Sequence, residues 1–297
     1  MSNNDPAADG ARLEPRAVRE RFDSLAGRYD QHAALEQEVC RRLLERCEFS
    51  RLQPTRVLDL GCGTGAAAAA LKRKYRQAQV IGVDASPAML AGLRRRSSLL
   101  RPLRGVCGDV AALPFPRASA DLLFANLVNF WSPRPVALFD EYRRVLRPDG
   151  MLLFTTLGPG TFWQLREAWA SVDPEMTLPA FADILEVGDA LMAAGFREPV
   201  MDMEVITLQY PQFEAMAEEL EATAVSLLIP GWERWRAQRD RLEAAYAPLL
   251  TGGRYPLSYE IVYGTAFGPQ EGQPRRTAGG DVVTFSVDSL LKSRPMG

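Results

Sequence analysis

The sequence is poor in the residues that build metal sites and disulfide frameworks. It contains one histidine, His32, and four cysteines at positions 40, 47, 62 and 107, without a C-x-x-C pair. Isolated residues of this kind do not match the ligand spacing of zinc sites or the pattern of a disulfide scaffold. We therefore expect no metal and four free thiols.

A strong net charge and long apolar runs are also absent. The formal net charge is −2, so the chain has no general attraction for nucleic acid. No segment approaches the roughly 18 unbroken apolar residues that cross a bilayer. The first residues are polar and lack the apolar centre of a secretory signal. These absences predict a cytoplasmic location, a disordered leader over residues 1–14, and a substrate that is small or protein-borne.

Short apolar runs alternate with helical patterns in the first half of the chain. The patterns predict strands at 57–60, 80–83, 121–125 and 151–156, and helices at 66–75, 87–96 and 135–146, with a turn at 147–150. Ser86 followed by Pro87 is a typical helix start. Alternating strands and helices predict an α/β fold with a mostly parallel, doubly wound sheet.

The pattern changes after residue 157 to longer helices with irregular spacers. Strand patterns return at 200–208 and 259–267, and a largely helical insertion separates them at about 211–250. We expect this insertion to cover the active site. The predicted domain spans 15–268, with a cofactor-binding core at about 50–157. A C-terminal tail follows at 269–297, in which 282–287 is a candidate edge strand.

A glycine-rich segment follows the first predicted strand. Gly61, Cys62 and Gly63 come directly after Asp59, where glycine lets the backbone turn sharply and lets a ligand lie against the main chain. Asp84 and Ala85 end the second strand, where a carboxylate suits ribose hydroxyls. Both features also fit a dinucleotide site, so at this point a nicotinamide-dependent oxidoreductase stays open.

The flanking acids distinguish the two cofactors. Asp59 would repel a pyrophosphate but attract a positively charged sulfonium ligand. Asp109 and Val110, after the third strand, offer a carboxylate and backbone donors to an adenine edge, and Asn126 follows the fourth strand. Over residues 56–156 this set resembles class I methyltransferases with a Rossmann-like fold. The resemblance implies S-adenosyl-L-methionine as cofactor and places Asn126 where methyl donor and acceptor meet.

A closer resemblance lies outside the core. Residues 22–30, 156–169, 187–196, 199–202 and 259–264 are similar to segments of the BioC family, the malonyl-[acyl-carrier protein] O-methyltransferases of biotin synthesis. The similarity runs over most of residues 16–268. It implies methylation of the free carboxylate of a carrier-linked malonyl group, and it suggests that Tyr29 positions the substrate. Such a carboxylate is already ionised near neutral pH, so the reaction needs no general base.

The chain departs from that family in two substrate-side segments. Residues 175–180 contain no cation, and residues 222–226 replace a Gly-Ala-x-Asn signature. A predicted helix with Arg234, Arg236, Arg239 and Arg241 either meets an acidic carrier protein or is a solvated face. Two alternatives therefore remain beside the oxidoreductase: a related methyltransferase with another small acceptor, and a non-catalytic cofactor-binding partner.

Overall fold

The computed structural model describes residues 14–173, 178–270, 275–277 and 280–282. The predicted leader lies outside these residues except for Glu14. Residues 175–177 of the cation-free segment and residues 283–287 of the candidate edge strand also lie outside them.

The architecture is built on one large sheet. Nine strands occur in the described residues: β1 (Arg56–Leu60), β2 (Gln79–Asp84), β3 (Arg104–Cys107), β4 (Ala120–Ala125), β5 (Leu146–Leu157), β6 (Arg197–Tyr210), β7 (Tyr255–Phe267), β8 (Arg275–Thr277) and β9 (Gly280–Val282). Seven form a sheet in the order β3-β2-β1-β4-β5-β7-β6, and β8 pairs with β9. The predicted strands at 57–60, 80–83, 121–125, 151–156, 200–208 and 259–267 are confirmed.

Most of the sheet is parallel. Strands β1 to β5 pair in parallel, whereas β7 runs antiparallel between β5 and β6. The centre of the sheet is buried on both faces, which explains the near-continuous apolar runs of β1 and β4. Because the carboxyl ends of parallel strands share one edge, the segments that follow β1, β2, β3 and β4 lie close together. The predicted α/β fold with a mostly parallel, doubly wound sheet is confirmed.

Helices cover both faces of the sheet. In the described residues they are α1 (Pro15–Leu25), α2 (Tyr29–His32), α3 (Ala34–Arg46), α4 (Ala66–Lys74), α5 (Pro87–Arg96), α6 (Pro135–Val145), α7 (Trp163–Val172), α8 (Ile184–Ala193), α9 (Phe213–Ala222), α10 (Trp232–Ala237) and α11 (Arg239–Tyr246). The predicted start of α5 is confirmed, because Ser86 Oγ accepts a hydrogen bond from the Met89 amide at 3.1 Å. Within the described ranges, no helix is long and apolar enough to span a bilayer.

The turn predicted at residues 147–150 is wrong. Strand β5 already begins at Leu146, which pairs with Ala120, and the pairing resumes at Met151 with Leu122. The residues between them form an irregularity in the strand, in which Asp149 has a positive φ of 56°. The turn-forming sequence therefore makes a bulge inside a strand, since the flanking residues still pair with β4.

The four arginines at 234–241 do not lie on one helix, which corrects the sequence prediction. Helix α10 carries Arg234 and Arg236, while α11 carries Arg239 and Arg241. Three of them form ion pairs within the molecule, with Asp173, Glu221 and Glu214, and Arg241 donates to the Val172 carbonyl at 3.3 Å. These side chains are thus partnered inside the molecule.

Candidate functional site

A cavity of about 1110 Å³ opens at the carboxyl ends of the parallel strands. Its size slightly exceeds the usual range of ligand pockets, which is roughly 300–1,000 Å³. All ten site residues predicted from the sequence line it: Tyr29, Asp59, Gly61, Cys62, Gly63, Asp84, Ala85, Asp109, Val110 and Asn126. The fold therefore brings together residues that are up to about a hundred positions apart in the chain.

The glycine-rich loop after β1 has the backbone shape that its sequence predicts. Gly61 and Gly63 have positive φ angles of 63° and 52°, which side-chain-bearing residues rarely adopt. A Cβ atom at Gly61 would lie 2.5 Å from Val128 Cγ2. The Cys62 amide donates to the Val83 carbonyl at 3.0 Å, so the loop is fixed against β2. The main chain of the loop thus forms one wall of the cavity.

Asp59 is a buried carboxyl without a charged partner. Its side chain is 1% exposed, and its Oδ2 atom has no hydrogen-bond partner within the described residues. Burial, with a smaller contribution from the nearby Asp84 carboxylate, raises the pKa of Asp59 to about 8, against the opposing effect of a hydrogen bond with the Ala68 backbone. A buried, unpaired acid at the wall of a cavity is unfavourable in the free protein, and a bound cation would stabilise its ionised form.

Asp84 holds the loop and the start of α5 together. Its Oδ2 accepts from the Gly63 amide at 2.8 Å, and its Oδ1 accepts from the Ser86 amide at 2.8 Å. Burial raises the pKa of Asp84, against the opposing effect of these two amides. The carboxylate oxygens keep further lone pairs that are free to accept from ligand hydroxyls.

The ends of β3 and β4 supply the other side of the cavity. Asp109 is exposed and accepts from the Ala111 amide at 2.8 Å. Asn126 makes two structural hydrogen bonds: its Nδ2 donates to the Glu36 carbonyl at 3.0 Å, and its Oδ1 accepts from Thr155 Oγ1 at 3.0 Å. Asn126 therefore fixes α3 to the end of β4 as well as lining the cavity.

Helices α1 and α2 form a cap on the cavity that sequence reasoning did not identify. Asp23 Oδ1 accepts from Ser86 Oγ at 2.5 Å. Asp30 accepts from Thr64 Oγ1 at 2.5 Å and forms an ion pair with Arg96 at 2.5 Å. These contacts attach the cap to the two loops that carry Gly63 and Asp84.

Aromatic side chains complete the inner surface of the cap. The rings of Phe22 and Tyr29 are 6.1 Å apart, and Phe22 also packs edge-on against Trp131 at 5.6 Å. Tyr29 Cε1 lies 3.9 Å from the position of a Cβ atom at Gly63. Because Tyr29 lies directly over the glycine loop, the cap determines how much room a ligand has there.

Substitution of Asp30 tests whether the cap contributes to ligand binding. We expect Asp30→Asn to loosen the cap, since the amide cannot accept from both Thr64 and Arg96. Amide hydrogen exchange in residues 15–32 should become faster, and affinity for S-adenosylhomocysteine should fall by about three- to tenfold. Glu20→Gln is the matched control, because Glu20 lies on the other cap helix, α1, where its exposed side chain pairs with Arg16. Unchanged exchange in Asp30→Asn would contradict the role of this contact.

Comparisons with known proteins agree with this geometry. A family described as "Methyltransferase domain" matches residues 58–154, which span β1 to most of β5. The "Malonyl-[acyl-carrier protein] O-methyltransferase" of Halorhodospira halophila is 43% identical over 291 residues, covering 96% of this chain and 98% of that protein. The protein of the same name from Gallionella capsiferriformans is 41% identical and covers 86% of this chain and 92% of its own length.

Solved structures show the same fold. The complex of a methyltransferase activator with a methyltransferase from Haloferax volcanii matches with a TM-score of 0.56 at 19% identity, over 86% of this chain and 99% of that chain. At this identity the likeness concerns the fold alone. The near-full-length relatives assign the chain to the malonyl-[acyl-carrier protein] O-methyltransferase family of S-adenosylmethionine-dependent methyltransferases.

Proposed function

We propose that this chain methylates the free carboxylate of malonyl-acyl carrier protein, and so starts the synthesis of the pimeloyl group of biotin. The observation that carries this proposal is the 43% identity over 96% of the chain to a protein of that name. The chain spans nearly the whole length of that relative.

The lining of the cavity fits S-adenosylmethionine. The cofactor supplies, when bound, a methyl group activated on a positively charged sulfur. Asp59 offers a buried carboxyl, whose Oδ2 has no hydrogen-bond partner in the described residues, to the cationic part of the cofactor. We propose that the loop at Gly61, Cys62 and Gly63 holds the amino-acid part by its backbone.

The nucleoside part of the cofactor has its own candidate contacts. We propose that Asp84 and Ala85 contact the ribose, and that Asp109 and Val110 contact the adenine edge. Asn126 borders the place of methyl transfer. All five residues line the cavity, which supports these assignments.

The acceptor side of the cavity suits a carboxylate that needs alignment but no deprotonation. A malonyl carboxylate has an ordinary pKa far below neutral pH, so it reaches the site ionised. The task of the chain is then to orient this group and to exclude water from it. Tyr29 is one such group: burial raises the pKa of its phenol well above the usual value, so the hydroxyl stays a hydrogen-bond donor at neutral pH.

The helices between β6 and β7 are the proposed substrate-binding insertion, at about 211–250 within a methyltransferase domain of 15–268. Thr223 and Val225 from this segment line the cavity. Arg21 on the cap donates to the Glu221 carbonyl at 2.9 Å, which joins the insertion to α1.

Two exposed cavity arginines, Arg19 and Arg134, form no ion pair within the described part of the chain. We propose that they meet the anionic arm of the carrier protein. A cytoplasmic location stays a prediction.

A mass-spectrometric methyl-transfer assay tests the proposed function. Purified protein is mixed with S-adenosylmethionine and malonyl-acyl carrier protein, with acetyl-acyl carrier protein as the control that lacks a free carboxylate. We expect only the malonyl form to gain one methyl group. No product from a protein that still binds S-adenosylhomocysteine would indicate a methyltransferase with another acceptor, and no binding of that ligand would indicate a non-catalytic protein.

A further inference from the structure

Glu36 on α3 is a second acid in the cavity, and one of its two carboxyl oxygens is unpaired within the described residues. It lines the cavity, and its Oε2 atom is buried without a hydrogen-bond partner in the described part of the molecule. Its position is well defined, because its backbone carbonyl accepts from Asn126 Nδ2 at 3.0 Å. The carboxyl is thus held beside the end of β4, on the acceptor side of the cavity.

In the part of the chain that the structure describes, the surroundings of Glu36 contain acids and phenols but no buried cation. Glu219 on α9 and the phenols of Tyr29 and Tyr259 interact electrostatically with it. The acids Asp59 and Asp84 line the same cavity. Basic side chains among the described residues reach the cavity lining only at exposed positions: Arg16, Arg19, Arg41 and Arg134.

These surroundings favour the neutral form of the acid. Burial, with a smaller contribution from the charge of Glu219, raises the pKa of Glu36 to about 7, against the opposing effect of a hydrogen bond with its own backbone. A neutral carboxyl group is a hydrogen-bond donor as well as an acceptor. On the acceptor side of the cavity, the neutral Glu36 carboxyl is therefore a hydrogen-bond donor, as the Tyr29 hydroxyl is.

We propose that Glu36 acts as a protonated carboxyl group that donates a hydrogen bond to a carboxylate bound in the cavity. The carboxylate has two sources with the same chemistry: the malonyl group of the acceptor, which rests on the proposed function, and the amino-acid end of the cofactor. A cationic ligand group is already matched by Asp59, whereas in the described residues no buried cation is available to a ligand carboxylate. The donor would replace the cation that the substrate-side segments lack.

Three variants separate this role from a structural one. Glu36→Gln keeps a neutral donor of the same size, Glu36→Ala removes the donor, and Glu45→Gln changes an acid on the exposed side of the same helix that pairs with Arg41. Calorimetry measures the affinity of each protein for S-adenosylhomocysteine, and the affinity of each S-adenosylhomocysteine-loaded protein for malonyl-acyl carrier protein, between about pH 6 and about pH 9. Thermal unfolding checks that each variant is folded.

The direction of the expected pH effect follows because only the protonated form of Glu36 donates a hydrogen bond to the ligand carboxylate. As pH rises above the pKa of free Glu36, the affinity of the wild type for the carboxylate ligand should fall by up to about tenfold per pH unit. In Glu36→Gln this fall in affinity with rising pH should be absent, because glutamine does not titrate. The variant should therefore bind the carboxylate ligand more tightly than the wild type at high pH. Glu36→Ala should bind about tenfold or more weakly than Glu36→Gln throughout, and Glu45→Gln should follow the wild type.

The two ligands identify the source of the carboxylate. If Glu36→Gln removes the pH dependence of S-adenosylhomocysteine affinity, Glu36 contacts the carboxylate of the cofactor. If it removes only the pH dependence of malonyl-acyl carrier protein affinity, Glu36 contacts the carboxylate of the acceptor. If the pH profiles of the wild type and Glu36→Gln coincide for both ligands, the proposal is overturned. Absence of methyl transfer to malonyl-acyl carrier protein in the wild type would instead overturn the proposed function, while the cofactor measurement would still decide on Glu36.

Discussion

Asp59→Asn is expected to weaken binding of S-adenosylmethionine by about a hundredfold or more. The substitution keeps the size of the side chain and removes the one charge that the glycine loop offers to a cationic ligand. Losing a buried charge partner costs roughly 3–5 kcal/mol, which corresponds to at least a hundredfold in affinity. Calorimetry with S-adenosylmethionine measures the effect directly, and wild-type affinity in the variant would contradict the assigned role.

The same substitution should make the ligand-free protein more stable at high pH. The pKa of Asp59 rises on folding from 3.8 to about 8. Its contribution to stability is therefore fully present below the lower value and is lost as pH rises through the higher one. Because asparagine does not titrate, the free energy of unfolding of the variant should rise relative to that of the wild type as the pH goes from 5 to 8. The upper bound of this relative gain is on the order of 4 kcal/mol. Urea unfolding of both proteins at these two pH values measures the gain.

Asp121→Asn is the matched control, with effects of opposite sign. Asp121 lies at the other end of the sheet, where it accepts from the Thr55 and Arg56 amides at 2.8 Å and from Arg147 Nη1 at 2.7 Å. These hydrogen bonds outweigh burial and lower its pKa, so its stabilising contribution is present at neutral pH and is lost in acid. Asp121→Asn should therefore destabilise the protein at pH 8 and leave cofactor affinity unchanged.

The local features of the site could be predicted from the sequence because short-range rules govern them. The glycine loop needs positive φ angles, which identify Gly61 and Gly63 without knowledge of the rest of the fold. The acids Asp59 and Asp84 follow from their place at the ends of apolar runs. Parallel strands then bring these ends to one edge. The fold and the candidate cofactor site can thus be predicted from segments of a few residues each.

The cap and Glu36 could not be predicted in this way, because long-range contacts define them. Asp23 and Ser86 are 63 residues apart, and Asp30 and Arg96 are 66 apart. On an amphipathic helix, Glu36 has the sequence environment of a solvated acid. Only the packing of α3 against the end of β4 shows that its carboxyl is buried. The bulge at 147–150 has the same origin, since pairing with β4 overrides the local turn preference.

Tyr29→Ala is expected to lower kcat/KM for malonyl-acyl carrier protein by about a hundredfold. The ring fills the space between Phe22 and the glycine loop, so its removal opens the cap to water as well as deleting the hydroxyl. Removing this half-buried aromatic side chain deletes its packing in the cap and with it the alignment of the acceptor, an effect on the order of a hundredfold in rate. Affinity for S-adenosylhomocysteine should fall in this variant too, because the ring lies over Gly63.

Tyr29→Phe separates the hydroxyl from the ring. The ring packing remains, so affinity for S-adenosylhomocysteine should change by less than about twofold, while KM for malonyl-acyl carrier protein should rise by about tenfold through loss of a hydrogen bond to a charged group. Tyr255→Phe is the control, because the Tyr255 hydroxyl donates to Glu243 at 2.8 Å and does not line the cavity. A rise in KM without a change in cofactor affinity places the hydroxyl on the acceptor. An unchanged KM would mean that Tyr29 contributes only through its ring. The acceptor carboxylate would then depend on other hydrogen-bond donors, of which Glu36 is the first candidate.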